Sequence, residues 1–312
     1  MHPYNGILLC DKPYDLTSHD VVGRLRKLLG QKKIGHTGTL DPRATGLMVL
    51  CLGQATKIAR FITDVDKTYK AEVTLGQVSK TFDAEGIDLD TPYNIVPKLK
   101  EDDIVSLLNS FSGAIRQKVP IYSAVKVEGK RLYKSARKGE AVEPPEREVF
   151  IDSINLISFD SPKITFEVSC SKGTYIRSLA NDIGEKIGCG AYLSELKRTR
   201  VGNYYLCDAI TLDKVESFKK EGSLAKYLRP IDTVLSFPSI MVNEEFSSLI
   251  ISGRSPRYQD IIRIEGDFRS EEFISLRDYN GNIRAIGKSE IDSSELGSSQ
   301  ETPFFTYIRV LN

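Results

Sequence analysis

Residues 35–57 read GHTGTLDPRATGLMVLCLGQATK. Gly35, Gly38 and Gly46 punctuate a stretch that otherwise favours extended backbone. Asp41 precedes Pro42, and a residue before proline is pushed out of the helical region. Glycines on either side allow sharp turns and close approach of a ligand to the backbone. The apolar run Leu47 to Leu52 predicts a buried strand. From Gln54 to Val65, Ile58, Phe61, Ile62 and Val65 fall at helical spacing, which predicts a helix. A carboxylate is thus presented on a constrained loop, braced by a core strand and a helix. Local chemistry alone gives Asp-Pro among glycines no more than a surface turn.

The whole string says more. It resembles the motif of TruB-type tRNA pseudouridine synthases, GHxGxLDPxAxG followed by an apolar strand and GxATK. The motif is long and rigidly spaced. The resemblance implies that Asp41 is the nucleophilic catalytic residue.

A chain of 312 residues exceeds what one hydrophobic core usually supports, which predicts two domains. Its 40% hydrophobic and 27% charged residues are an ordinary soluble composition. No run is long and apolar enough to span a bilayer. The opening MHPYNGILLCDKP lacks the basic start and long apolar core of a secretory signal. Cys10, Cys51, Cys170, Cys189 and Cys207 are scattered, without a CxxC pair, so neither a zinc site nor a disulfide framework is indicated. A reducing cytoplasm is the expected setting. The net charge of +1 announces no nucleic-acid binder, but its distribution is uneven. Residues 241–312 hold 8 Lys/Arg against 12 Asp/Glu, which leaves +5 for residues 1–240.

Upstream of the motif, GILLC at residues 6–10 predicts a buried strand ended by Asp11-Lys12-Pro13. Ser18 is the expected N-cap of a helix whose apolar face is Val21, Val22, Leu25, Leu28 and Leu29. Arg24, Arg26 and Lys27 mark its other face, either a solvated stripe or a phosphate-contacting one. Lys12-Pro13 followed by Thr17-Ser18-His19-Asp20 resembles the family's first motif, which packs beneath the catalytic loop. Lys12 and Pro13 are therefore assigned structural support. His36, on its own, reads as a capping or core histidine, whereas the resemblance implies contact with RNA near the target base. His2 and His19 are the only other histidines and form no ligand cluster, so no metal is expected.

Downstream, KTYKAEVTLG at 67–76 alternates like a half-buried strand. The KxY element resembles the family's uracil-contacting tyrosine, here Tyr69. Residues 80–86, KTFDAEG, resemble the turn that follows it, with Asp83 ordering the loop. Ile104, Leu107, Leu108 and Phe111 fit an amphipathic helix. In VPIYSAVKVEGKRLYKSARKG at 119–139, Lys126, Lys130, Arg131, Lys134, Arg137 and Lys138 interleave with Tyr122 and Tyr133. Phosphate neutralisation combined with stacking is how proteins hold unpaired RNA. The string is similar to the family's thumb insertion, which folds onto the tRNA T-loop, with Pro144-Pro145 closing it.

KITFEVSC at 163–170 predicts another strand, and Gly173-Thr174-Tyr175 opens a helix with Ile176, Leu179, Ala180, Ile183 and Ile187 on one face. Arg177 falls in its first turn, where the macrodipole disfavours a cation. The resemblance of GTYIRSL supplies a reason: Arg177 pairs with Asp41 and favours its ionised form, and Tyr175 lies against the substrate ring. Leu196, in SELKRTRVG, matches the family's apolar residue in the base pocket, although an ordinary core leucine reads the same way. Lys197, Arg198 and Arg200 are expected to add phosphate-facing charge. Arg229-Pro230-Ile231-Asp232 looks like a linker. Beyond it, a short helix at 244–252, a hairpin turning at Asn280-Gly281 and a closing strand at 304–311 resemble, more loosely, the family's PUA-like RNA-binding domain.

The expected fold is α/β of the α+β kind, with a mixed, mainly antiparallel central sheet flanked by helices, the pseudouridine synthase fold. The expected domains are catalytic 1–235, with a thumb at about 119–145, and a small β-rich PUA-like domain at 236–312. The resemblance implies an isomerase that converts uridine 55 of the tRNA T-loop to pseudouridine. Asp41 is its nucleophile, and Tyr69 stacks on the flipped-out uracil. Whether Asp41 attacks the ring, attacks the sugar carbon or acts as a base at C2′ stays open. The reaction adds and removes nothing, so no cofactor is expected, and neither Rossmann nor Walker fingerprints occur. The expected partner is tRNA, met by a monomer without membrane, obligatory protein partner or guide RNA. The rivals are a non-enzymatic tRNA-binding protein on this scaffold and the guide-RNA-dependent synthases. The presence of Asp41, Tyr69 and Arg177 disfavours the first, and the short lead into the first strand, without a long basic tail, disfavours the second.

Overall fold

The structure is a computed structural model that describes residues 3–87, 94–123, 125–127, 129–139, 142–233, 235, 237–297 and 303–311. The side chain of Arg137 and residues His2 and Glu128 lie outside the described set. The larger unit is one mixed, mostly antiparallel sheet. Its long strands are β1 (Gly6–Lys12), β3 (Thr45–Leu52), β4 (Lys67–Leu75), β5 (Gly113–Lys118), β6 (Glu146–Asp160), β7 (Lys163–Cys170) and β8 (Ala191–Val201), with the short β2 (Ile34–His36) beside β3. In space the order is β1-β3-β8-β4-β7-β6-β5. Every neighbouring pair on that path is antiparallel except β3 with β8, which meet in parallel at Lys197↔Thr45 and Arg198↔Gly46. Helices α1 (Ser18–Leu29), α2 (Glu101–Asn109) and α3 (Ile176–Ile187) pack their apolar sides on this sheet.

The insertion of β8 between β3 and β4 positions the site. It brings the residue after the Asp41 loop, the start of β4 and the strand bearing Leu196 side by side. In β4 Tyr69, Ala71 and Val73 are buried on one face, while on the other Lys70 is exposed and Glu72 partly so, as the alternation predicts, with Thr68 and Thr74 toward the ends buried as well. Gly46 is obligatory where β3 and β8 converge: its φ is +97°, and a Cβ there would lie 2.4 Å from the Arg198 carbonyl oxygen.

Local corrections follow from hydrogen bonding. Thr17, not Ser18, caps α1, in a capping box with Asp20. β1 runs on through Lys12. The helix expected over Gln54–Val65 is instead a 3-10 turn, Gly53–Ile58, followed by the short helix Ala59–Thr63. Its apolar residues still pack inward.

A second sheet of five strands follows: β9 (Ser239–Val242), β10 (Ile261–Glu265), β11 (Phe273–Arg277), β12 (Ile283–Ser289) and β13 (Phe305–Val310), in the order β10-β9-β11-β12-β13. The hairpin at Asn280-Gly281 joins β11 and β12 as the sequence predicts. This β-rich unit has its own core around Phe246, Phe268 and Phe304. It also shares one with the larger sheet, where Ile283, Ile286 and Leu311 pack with Ile7, Leu9, Val49 and Ile62. Phe61 meets Phe237 and Phe273 edge-on at 5.3 and 5.2 Å, and Lys57 donates to the Val310 carbonyl.

Candidate active site

The Asp41 loop is held by its own carbonyls. Arg198 Nη2 donates to Gly38 O at 3.1 Å, with Nη1 3.5 Å from Thr39 O. Ser18, buried at the start of α1, exchanges bonds with both the N–H and the carbonyl of Leu40. Asp41 O accepts from Ala44 N, and Pro42 O accepts from Lys12 Nζ at 2.9 Å. Every carbonyl from residue 38 to 42 therefore has a donor, which leaves the loop little freedom. Its one carboxylate is not consumed in this scaffolding, and the Asp41 side chain stays 43% exposed.

Lys12 is wholly buried and also bonds Pro13 O and Leu16 O. Burial lowers its pKa to about 8, opposed first by the Asp41 charge. The exposed Pro13 contributes only its carbonyl. Lys12 lies under the loop, and neither residue lines the cavity.

Asp41 opens into a cavity of about 740 Å³ whose wall includes Tyr69, Tyr175, Arg177 and Leu196. The structure thus gathers five of the residues singled out from the sequence, contributed by four separate segments. Tyr122 and Tyr133, from the basic segment, complete one side, and Lys80 adds a cation. Tyr69 sits on β4 opposite Arg198, and burial raises its phenol pKa. Tyr175 immediately precedes α3; its N–H donates to Gln117 Oε1, and the Arg147 guanidinium lies 5.6 Å above its ring.

Arg177 is 6% exposed. Its Nε lies 3.0 Å from Asp41 Oδ2, but the N–H is not aimed at that oxygen, so the contact is an ion pair without an aligned hydrogen bond. Nη1 donates to Thr81 O and stands 3.5 Å from Asp83 Oδ2, and Nη2 donates to Tyr122 O. The guanidinium is shared among two carboxylates and two carbonyls instead of gripping Asp41 with both arms. Asp83 also orders its turn, accepting from Thr81 Oγ1 and Glu85 N. The sequence offers no sign that it faces Arg177, 94 residues away.

His36 does not join this group. It lies on β2 opposite Leu50, outside the cavity wall. Burial lowers its pKa, and Nδ1 has no partner. Lys126, Lys130, Arg131 and Lys134 are exposed, on a small hairpin (Lys126–Val127 with Lys130–Arg131) and the helix Leu132–Arg137, and none lines the cavity. Arg198 corrects an expectation: it faces no solvent, being 2% exposed beneath the Asp41 loop. A charge run such as KRTR reads as a solvated surface, and only the placement of β8 between two strands reveals otherwise.

Residues 26–176 match the family model described as TruB family pseudouridylate synthase (N terminal domain), and residues 177–236 match tRNA pseudouridylate synthase B C-terminal domain. The chain is 43% identical over 252 residues to a tRNA pseudouridine synthase B of Clostridium kluyveri, covering 80% of this chain and 85% of the relative. It is 38% identical over 300 residues to the protein of that name from Pelotomaculum thermopropionicum, covering 94% of each. Among solved structures it is similar to a chain of a Cbf5-Nop10-Gar1 complex, at 25% identity and a TM-score of 0.76, covering 100% of this chain and 86% of that one.

Proposed function

The chain belongs to the TruB family of pseudouridylate synthases, and on that premise we propose that it isomerises uridine 55 in the T-loop of tRNA to pseudouridine. The relatives are named for pseudouridine formation in tRNA, and the enzyme class carries over with the family. What supports the finer reading is one observation: a carboxylate on a fully bonded loop faces a cavity walled by Tyr69, Tyr122, Tyr175 and Leu196, with a buried arginine 3.0 Å away.

The chemistry asked of the site is the breaking of the N1–C1′ bond, rotation of the ring and formation of a C5–C1′ bond. The base must leave its stack to reach Asp41. Asp41 acts as nucleophile. It needs no reorganisation to do so, because its loop is already fixed, and such preorganisation lowers the barrier. Tyr69 stacks on the uracil, and Tyr175 and Leu196 complete the slot. Arg177 orients Asp41 through charge while its two carbonyl bonds tie the 80–86 turn and the Tyr122 segment to the site. His36 contacts RNA beside the target base, outside the slot. Lys126, Lys130, Arg131, Lys134 and Arg137 neutralise T-loop phosphates.

In domain terms, residues 1–235 form the catalytic unit with its thumb, and 236–312 are PUA-like. Among the described residues no helix is long and apolar enough to cross a membrane. The protein acts alone on tRNA. Incubating it with unmodified tRNA transcript and no other component, then mapping pseudouridine, tests this: one modified position at 55 is expected. An unmodified transcript would favour the guide-dependent or purely binding alternatives.

A further inference from the structure

We propose that Arg198 is a positioning residue for this reaction, one side chain that fixes the Asp41 loop against the strand that carries Tyr69. The proposal rests on the assignment of those two residues to catalysis. Arg198 lies on β8 with its backbone opposite Gly46 of β3 on one side and Tyr69 of β4 on the other. Its side chain is buried and runs under the loop. Nε donates to Leu47 O at 2.7 Å, and Nη2 to Gly38 O at 3.1 Å. Across the β8–β4 pairing Tyr69 is the direct strand neighbour of Arg198.

Among the described residues no carboxylate pairs with Arg198, and burial lowers its pKa. A buried cation without a counter-charge is costly, and lysine or methionine would fill similar space. What only a planar fork provides is simultaneous donation to groups in different directions. Here those groups are the carbonyls at the two ends of the Asp41 loop, Gly38 O and Leu47 O. Gly38 belongs to the same arrangement, since a Cβ there would meet Arg198 Nη1 at 3.3 Å.

The test uses the full chain with Arg198→Lys and Arg198→Met. Three quantities are measured: single-turnover pseudouridine formation on unmodified tRNA transcript, tRNA affinity, and amide exchange of the 38–47 segment. Arg198→Lys should slow turnover by about 100-fold, the cost of a misplacement of roughly 1 Å, while affinity changes by less than about threefold. Exchange at 38–47 should quicken in both variants, with the rest of the chain still protected. A wild-type rate in Arg198→Lys, a loss carried by affinity alone, or unchanged exchange at 38–47 would overturn the proposal. If Arg198→Met does not fold, Arg198→Lys carries the decision. If the wild-type protein forms no pseudouridine, the reaction assignment fails, and the exchange measurement alone decides whether Arg198 holds the loop.

Discussion

Replacing Arg177 by lysine keeps a charge but removes the fork. The guanidinium spans Asp41 Oδ2 at 3.0 Å, Asp83 Oδ2 at 3.5 Å, Thr81 O at 3.1 Å and Tyr122 O at 3.0 Å. A lysine amine placed for either carboxylate abandons both carbonyls. A hydrogen bond to a charged group contributes about 1.5–3 kcal/mol. The contact with Asp41 adds at most about 1 kcal/mol, since that carboxylate is 43% exposed and water can replace the arginine. Some of the carbonyl loss is recovered by water entering the cavity, so the net destabilisation should be about 2–4 kcal/mol. Catalysis should fall by about 100-fold, because Asp41 loses its orienting charge and the 80–86 turn loosens. Urea unfolding at equilibrium gives the first number and single-turnover kinetics at saturating tRNA the second. A variant less than about 1 kcal/mol destabilised, with chemistry unchanged and binding weakened, would refute this and make Arg177 a phosphate contact. Its 6% exposure argues against that outcome.

Asp182 gives a pH-dependent prediction. Burial first, and then the Glu185 charge, raise its pKa from 3.8 to about 6. The fold therefore binds this proton more tightly than the unfolded chain does. The stability it contributes is full below about pH 4 and is lost as pH rises through about 6. Asp182→Asn should stabilise the protein at pH 7.5 by about 1–2 kcal/mol, discounted for partial exposure, and by nothing near pH 4; an equal gain at both pH values counts against it. For the basic segment, Lys130→Ala, Arg131→Ala and Lys134→Ala together should flatten the slope of log affinity against log salt by about 0.7–0.9 for each phosphate no longer neutralised. A titration series showing an unchanged slope would remove the segment as the electrostatic anchor. Deleting residues 238–312 is not a clean comparison for that experiment, since it strips Ile283, Ile286 and Leu311 from the shared core. The truncated protein should unfold at lower urea than the full chain, and an unshifted midpoint would refute the shared core.

The sequence exposed what depends on local rules. The DP loop, the strand after it, the helix at Ile176 and the Asn280-Gly281 hairpin each carry their signal within a dozen residues, and each forms. The gathering of Asp41, Tyr69, Tyr175, Arg177 and Leu196 around one cavity was legible only through the family resemblance, because no local pattern brings four distant segments together. What stayed hidden was decided by tertiary placement. Arg198 looked like one more cation in a basic run, and Ser18 like a cap; both are buried against the Asp41 loop. Asp83 faces Arg177 only because the 80–86 turn folds back over α3. The alternation in β4, by contrast, was legible: Tyr69, Ala71 and Val73 are buried opposite the less covered Lys70 and Glu72. β9 has four residues and β10 follows only after the helix Glu244–Ser247 and two 3-10 turns, with no hairpin signal joining them, and neither of these two of the tail's five strands is legible in the sequence.

The most direct measurement is pseudouridine formation at position 55 of an unmodified tRNA transcript by pure Asp41→Asn protein, beside the wild type, with tRNA affinity measured for both. The substitution keeps the side chain's shape and removes its nucleophilicity and basicity. The expected result is full conversion by the wild type, none by Asp41→Asn, and near-equal affinity. Conversion by the variant at a rate close to wild type would contradict the assignment of Asp41 as the nucleophile.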